Sequence, residues 1–116
     1  MESMLRDKSY VFALRVVKLH KYLISSKKEF VLSRQVLRSG TSIGASIMES
    51  QYAQSKKDFI NKLSIALKEA NETRYWLMLL RDSEYITERM HKSIQPGILE
   101  IIKILTASIN TAKEKV

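Results

Sequence analysis

Five polar side chains stand inside otherwise apolar helical patterning and are the first candidates for chemistry: Gln35, Arg38, Glu49, Glu69 and Glu72. An arginine set among apolar helix positions needs a carboxylate, because an unpaired buried charge is strongly destabilising. The placement therefore predicts Arg38 largely buried against Glu69 or Glu72 with Gln35 nearby, an ion-pair network that fixes helix register. Glutamates on bundle helices also suit di-iron centres, but those use Glu-x-x-His, and neither Glu69 nor Glu72 has histidine at the third following position. His20 and His91 are far apart, and neither sits in an HExxH spacing. The chain has no cysteine, which excludes disulfides, thiolate catalysis and Cys-ligated metal. Its serines have no histidine within helical reach. These residues predict a protein that is not an enzyme, with no metal and no cofactor.

Charge offers a second kind of chemistry. The net charge is +8 and the pI about 9.8, which favours a polyanion such as RNA or DNA, since phosphate neutralisation supplies most non-specific affinity. In an up-down-up-down bundle, Lys21, Lys27, Lys28, Arg34, Arg81, Arg89 and Lys92 gather at one end, diluted by Glu29, Asp82, Glu84 and Glu88. Arg6, Lys8, Lys56, Lys57, Lys113 and Lys115 gather at the other. Either end could grip phosphate, or serve only as a solvated surface. No RRM or KH signature is present. No apolar run reaches the length of a membrane span, and residues 1–8 are charged rather than signal-like, so a cytoplasmic protein with no membrane partner is expected.

The elements that must position these groups are helices. Only three Gly and one Pro accompany abundant Leu, Ile, Lys, Glu and Ala, and 116 residues with 45% hydrophobic content suit a single domain spanning 1–116. The stretch from Leu32 to Ser50 repeats Val36, Gly40, Ile43 and Ile47 on one face, although Gly40 and Gly44 each cost roughly 1 kcal/mol in a helix interior. Small residues four apart predict close approach of a neighbouring backbone at Gly40, Gly44 and Ala45. Before it, residues 8–25 place Val11, Phe12, Val16, Leu19, Tyr22 and Leu23 on an apolar face; Arg15, Lys18 and Lys21 point to solvent. Ser33 offers an N-cap, with Phe30 as an apolar plug before it.

Ser55 and Asp58 form a capping box for a third helix over 56–82, and Thr87 with Glu88 opens a fourth over 87–114. Pro96 followed by Gly97 predicts a kink or break near 93–97. The third helix carries more apolar arc than one bundle seam uses. A monomer would leave part of Tyr75, Trp76, Met78 and Leu79 exposed, so a homo-oligomer is expected. The fold class is all-α, a left-handed antiparallel four-helix bundle.

Gln35-Val-Leu-Arg-Ser-Gly-Thr-Ser-Ile-Gly-Ala-Ser-Ile-Met-Glu49, followed by Phe59, Leu63, Ala66, Glu69, Glu72 and Tyr75-Trp76-Leu77, resembles the bacterial 23S rRNA intervening-sequence proteins, also called a ribosomal protein family. Their pattern is close to Q-x-x-R-S-x-x-S-I-x-x-N-I-x-E, with Ser46, Met48 and Ser50 here in place of the usual Asn, Ala and Gly. The resemblance implies a four-helix bundle assembled into a ring, typically of five subunits. It also implies distant kinship with the accessory protein of diversity-generating retroelements, which binds a reverse transcriptase and nucleic acid. Two functions follow as expectations: an RNA-binding accessory factor, or a structural or adaptor oligomer that binds another protein.

Overall fold

The computed structural model describes residues 2–115 and contains four helices: α1 (Glu2–Ser26), α2 (Leu32–Ser50), α3 (Lys56–Asp82) and α4 (Glu88–Glu114). No strand occurs among the described residues. Each helix packs on its chain neighbours and α4 closes back on α1, while the diagonal pairs keep their backbones farther apart, giving an up-down-up-down bundle of 48 × 21 × 19 Å. The core is a column of apolar side chains from all four helices, including Val16, Leu23, Val36, Ile43, Ala66, Leu80, Ile98 and Leu105.

α1 begins earlier than its sequence pattern suggests. Leu5 lies seven residues before Phe12 and is 2% exposed, so the core face continues beneath the charged Arg6-Asp7-Lys8 run. Val11, expected on that face, is 58% exposed; Tyr10, Val11 and Leu14 form an apolar stripe on the outside of α1. Tyr75 and Met78 are likewise exposed on α3, with Trp76 and Leu79 half-buried. Because α1 and α3 occupy diagonal corners, these two apolar faces lie on different helices that are not neighbours in the bundle.

The start of α2 is built differently from the expected Ser33 cap. Its N-cap is Val31, which supplies no side-chain bond, and Ser33 is buried within the first turn. The carboxylate of Glu29 instead accepts from the amides of Val31, Leu32 and Ser33 at 3.2, 3.0 and 2.7 Å. Phe30 is 54% exposed and plugs nothing. Lys28 makes this reversal with a left-handed φ of 56°, and the amide of Glu29 donates to the Leu23 carbonyl at 3.0 Å. At the same end, Glu84 (φ 67°) ends α3, with the Tyr85 amide donating to the Leu80 carbonyl at 2.9 Å.

The Ser55 and Thr87 caps form as the sequence suggests, each hydroxyl accepting at 3.0 Å from the amide three residues on. Of the kink or break expected near 93–97, no break occurs: α4 runs as one continuous helix with Pro96 inside it. Pro96 and Lys92 are both exposed, which leaves the carbonyl deprived of its helical donor on the wet side of the helix. Gly97 matters for a different reason. A Cβ there would lie 3.2 Å from the Phe12 ring, so its bare backbone lets α1 and α4 cross closely.

Candidate functional site

The predicted ion-pair network does not form. Arg38 is exposed, Glu72 is exposed, and the ion pairs within the described residues include neither of them nor Glu69. Arg38 directly precedes Ser39 and Gly40, and one residue turns the helix by about 100°, enough to move its side chain from the buried stripe to the outside. Uncharged groups fill the α2–α3 contact instead, where the buried hydroxyls of Ser39 and Thr73 are hydrogen-bonded at 2.9 Å. Gln35 and Glu69 are half-buried, and Glu49 pairs with Lys62 of α3 at 3.4 Å.

Charge is distributed unevenly along the bundle. The topology brings the α1–α2 and α3–α4 loops to one end. Residues 15–38 and 74–94, which flank those loops, carry eleven Lys or Arg and four Asp or Glu, against nine and eight in the rest of the chain. Seven of the eight net positive charges therefore belong to this end. Its acids are partly engaged already. Glu29 caps α2, and Asp82 accepts from Arg81 Nε at 2.8 Å; this hydrogen bond holds the Asp82 carboxyl below its ordinary range and the Arg81 guanidinium above its own. Of the basic residues named from sequence, Lys21, Lys27, Lys28, Arg34, Arg89 and Lys92 are exposed and in no ion pair among the described residues. Arg81 is half-buried and occupied.

A groove of about 520 Å³ opens between α1 and α4 at this end. Its floor is Leu19, Tyr22, Ile86, Met90 and Ile94, and its cations are Arg15, Lys18 and Arg89, with no carboxylate. Arg15 is fixed across the groove, donating through both terminal nitrogens to the Ser93 carbonyl and hydroxyl at 2.8 Å each. Arg15 and Lys18 read as solvent-facing in the sequence; only the rotation of α1 against α4 brings them beside Arg89. A larger cleft of about 650 Å³ between α1 and α2 includes Arg6 and Asp7, and a third of about 320 Å³ pairs Lys8 and Arg15 with Asp7 and Glu100. Neither combines an apolar floor with an unbalanced positive rim.

Glu88 and His91 form a Glu-x-x-His pair away from Glu69 and Glu72, yet no three potential metal ligands converge among the described residues. His91 is buried; its Nδ1 lies 3.5 Å from Arg81 Nη1 and its Nε2 makes no hydrogen bond. Burial first, then the Arg81 charge, pushes its pKa below 6.5, while Asp82 and Glu88 pull it partly back. The unfolded chain binds this proton more readily, so the stability that neutral His91 confers is complete above pH 6.5 and declines as pH falls below it. Thermal melts should show a steeper loss below that pH in the wild type than in His91→Gln; parallel profiles would mean that His91 does not carry it.

No helix among the described residues is long and apolar enough to cross a membrane. No curated protein matches the chain. Among solved structures, it is similar to a protein of unknown function from the S23 ribosomal protein family of Bacteroides thetaiotaomicron VPI-5482. The two share 56% identity and a TM-score of 0.93, over 94% of this chain and 97% of that one. The family model for 23S rRNA-intervening sequence proteins matches residues 2–107. The chain belongs to the 23S rRNA-intervening sequence protein family.

Proposed function

We propose that this chain is a non-enzymatic, homo-oligomeric RNA-binding accessory protein of the cytoplasm, which grips RNA phosphates with the loop end of its bundle. The observation that carries this reading is the concentration of net charge there, on exposed lysines and arginines free of intrachain ion-pair partners. Exposed cations release counterions when they meet phosphate, and that release drives affinity. The apolar faces of α1 and α3 support assembly. Two different faces on non-adjacent helices suit head-to-tail contact, which closes into a ring when the rotation per contact sums to a full turn, and the family resemblance points to five subunits. Such a ring would carry a charge of about +40 and present five copies of the basic end.

The family name connects its members with 23S rRNA insertions, which makes a structured segment of that kind a suitable probe. Binding should be measured across a salt titration against a scrambled RNA of equal length, with light scattering giving the assembly mass. The expected result is a mass well above 13.4 kDa and a preference for the structured RNA that survives at physiological salt. Changing Lys27, Lys28 and Arg34 together to Gln should lower the slope of log affinity against log salt by about 2 to 3. Absence of binding at low salt would overturn the RNA reading and leave a protein-binding adaptor.

A further inference from the structure

We propose that the groove between α1 and α4 receives one unpaired nucleotide of the bound RNA, with its base on the apolar floor beside Tyr22 and its phosphates held by Lys18 and Arg89. This rests on the RNA-binding reading and names what that end selects.

The groove joins three properties that an unpaired nucleotide matches and a paired one does not. Its floor is apolar and carries the ring of Tyr22, which is half-buried and so held in position while part of its surface stays open. A base extruded from a helix has two exposed π-faces, and stacking on an aromatic side chain is sequence-tolerant. The rim is cationic without a counter-charge: Lys18 and Arg89 are exposed and in no ion pair among the described residues. Arg15 has a different part. Both of its terminal nitrogens already bond Ser93, so it ties α4 to α1 and presents a guanidinium of fixed position. The volume, about 520 Å³, lies within the range of small-molecule pockets and would hold a base with its sugar. A duplex offers phosphates to the rim but keeps its bases stacked, so the floor would remain unused.

The test uses the intact chain and two fluorescein-labelled RNA hairpins of equal length, one with a single adenosine bulge and one fully paired, measured by anisotropy at physiological salt. The bulged hairpin should bind more tightly. Tyr22→Leu, which keeps the floor apolar but removes the stacking ring, should weaken it by about five- to tenfold while leaving the paired hairpin unchanged. Tyr22→Trp should retain the preference, and circular dichroism would verify that both variants fold. The Lys27, Lys28 and Arg34 triple variant should weaken both hairpins alike, which separates phosphate attraction from base seating.

Equal affinity for the two hairpins, or a preference unchanged by Tyr22→Leu, would overturn the groove assignment while leaving RNA binding intact. Failure of both hairpins to bind at low salt would remove the RNA reading and the groove assignment together. If an acidic amphipathic peptide shifts the NMR signals of Tyr22 and Met90 and the bulged hairpin does not, the groove belongs to a protein partner and the assignment is overturned.

Discussion

Replacing Gly40 by leucine is expected to destabilise the bundle by about 3 kcal/mol, near the upper part of the range for overpacked cores. A Cβ at Gly40 would stand 2.8 Å from both methyl carbons of Val16 on α1, closer than side-chain carbons approach. Val16 cannot swing away, because a β-branched side chain in a helix is held to one rotamer and this one is fully buried. Alanine at the same place meets the same clash at Cβ without leucine's further atoms, and about 1 kcal/mol of helix propensity offsets part of it, so Gly40→Ala should also destabilise, by less than leucine. Gly44 is the control. A Cβ there would meet nothing nearer than the Ser9 hydroxyl at 3.5 Å, an ordinary contact, so Gly44→Ala should stabilise by about 0.5–1 kcal/mol. Urea denaturation of the three variants tests this directly. If Gly40→Leu melts like the wild type, the close approach of α1 and α2 at Val16 is not as described.

That contrast shows how far spacing alone can be read. Small residues at 40, 44 and 45 announce a close neighbour, and one exists, but only Gly40 is used for it; Ala45 is exposed and Gly44 has room. Sequence spacing marks which residues share a face, whereas the depth of contact depends on the axial offset and rotation of the partner helix. The same distinction explains the larger misreadings. Four apolar stripes are enough for the bundle and for both ends of α2, α3 and α4 to within a residue or so. α1 reads too short because a charged run masks the continuation of its core face to Leu5. Arg38 reads as internal because it sits on a helix with a pronounced apolar face, although its own angular position faces water.

The candidate site divides along similar lines. Net charge and its concentration near the two loops follow from composition and topology, so the basic end is visible without coordinates. The groove is not. Arg15, Lys18 and Tyr22 share one face of α1, and Ile86 of the α3–α4 loop stands before Arg89 and Met90 of α4, but no local pattern relates the first segment to the second. Arg81 reads as a binding residue from its position, but its neighbour Asp82 already holds it.

Truncating Glu29 to alanine should cost about 2–3 kcal/mol, an effect far larger than a loop glutamate ordinarily carries. Glu29 is 8% exposed and gives both carboxylate oxygens to three consecutive amides at the start of α2. Those amides have no intrahelical acceptors, and the positive end of the helix dipole adds to their attraction for an anion. Alanine would leave the amide of Ser33, which receives the shortest bond, without its acceptor in a buried turn. Glutamine keeps one carbonyl oxygen but loses the charge and the second acceptor, so its cost should fall between that of alanine and the wild type. A melting temperature lower by roughly 8 °C is expected for Glu29→Ala. The variant also removes a negative charge from the basic end, so its folded form should bind RNA at least as tightly as the wild type at low salt. Loss of RNA affinity in a folded Glu29→Ala protein would mean that the order of the α1–α2 loop, with Lys27, Lys28 and Arg34 around it, governs recognition more than its charge. An unchanged melting temperature would show that water satisfies the α2 amides as well as Glu29 does.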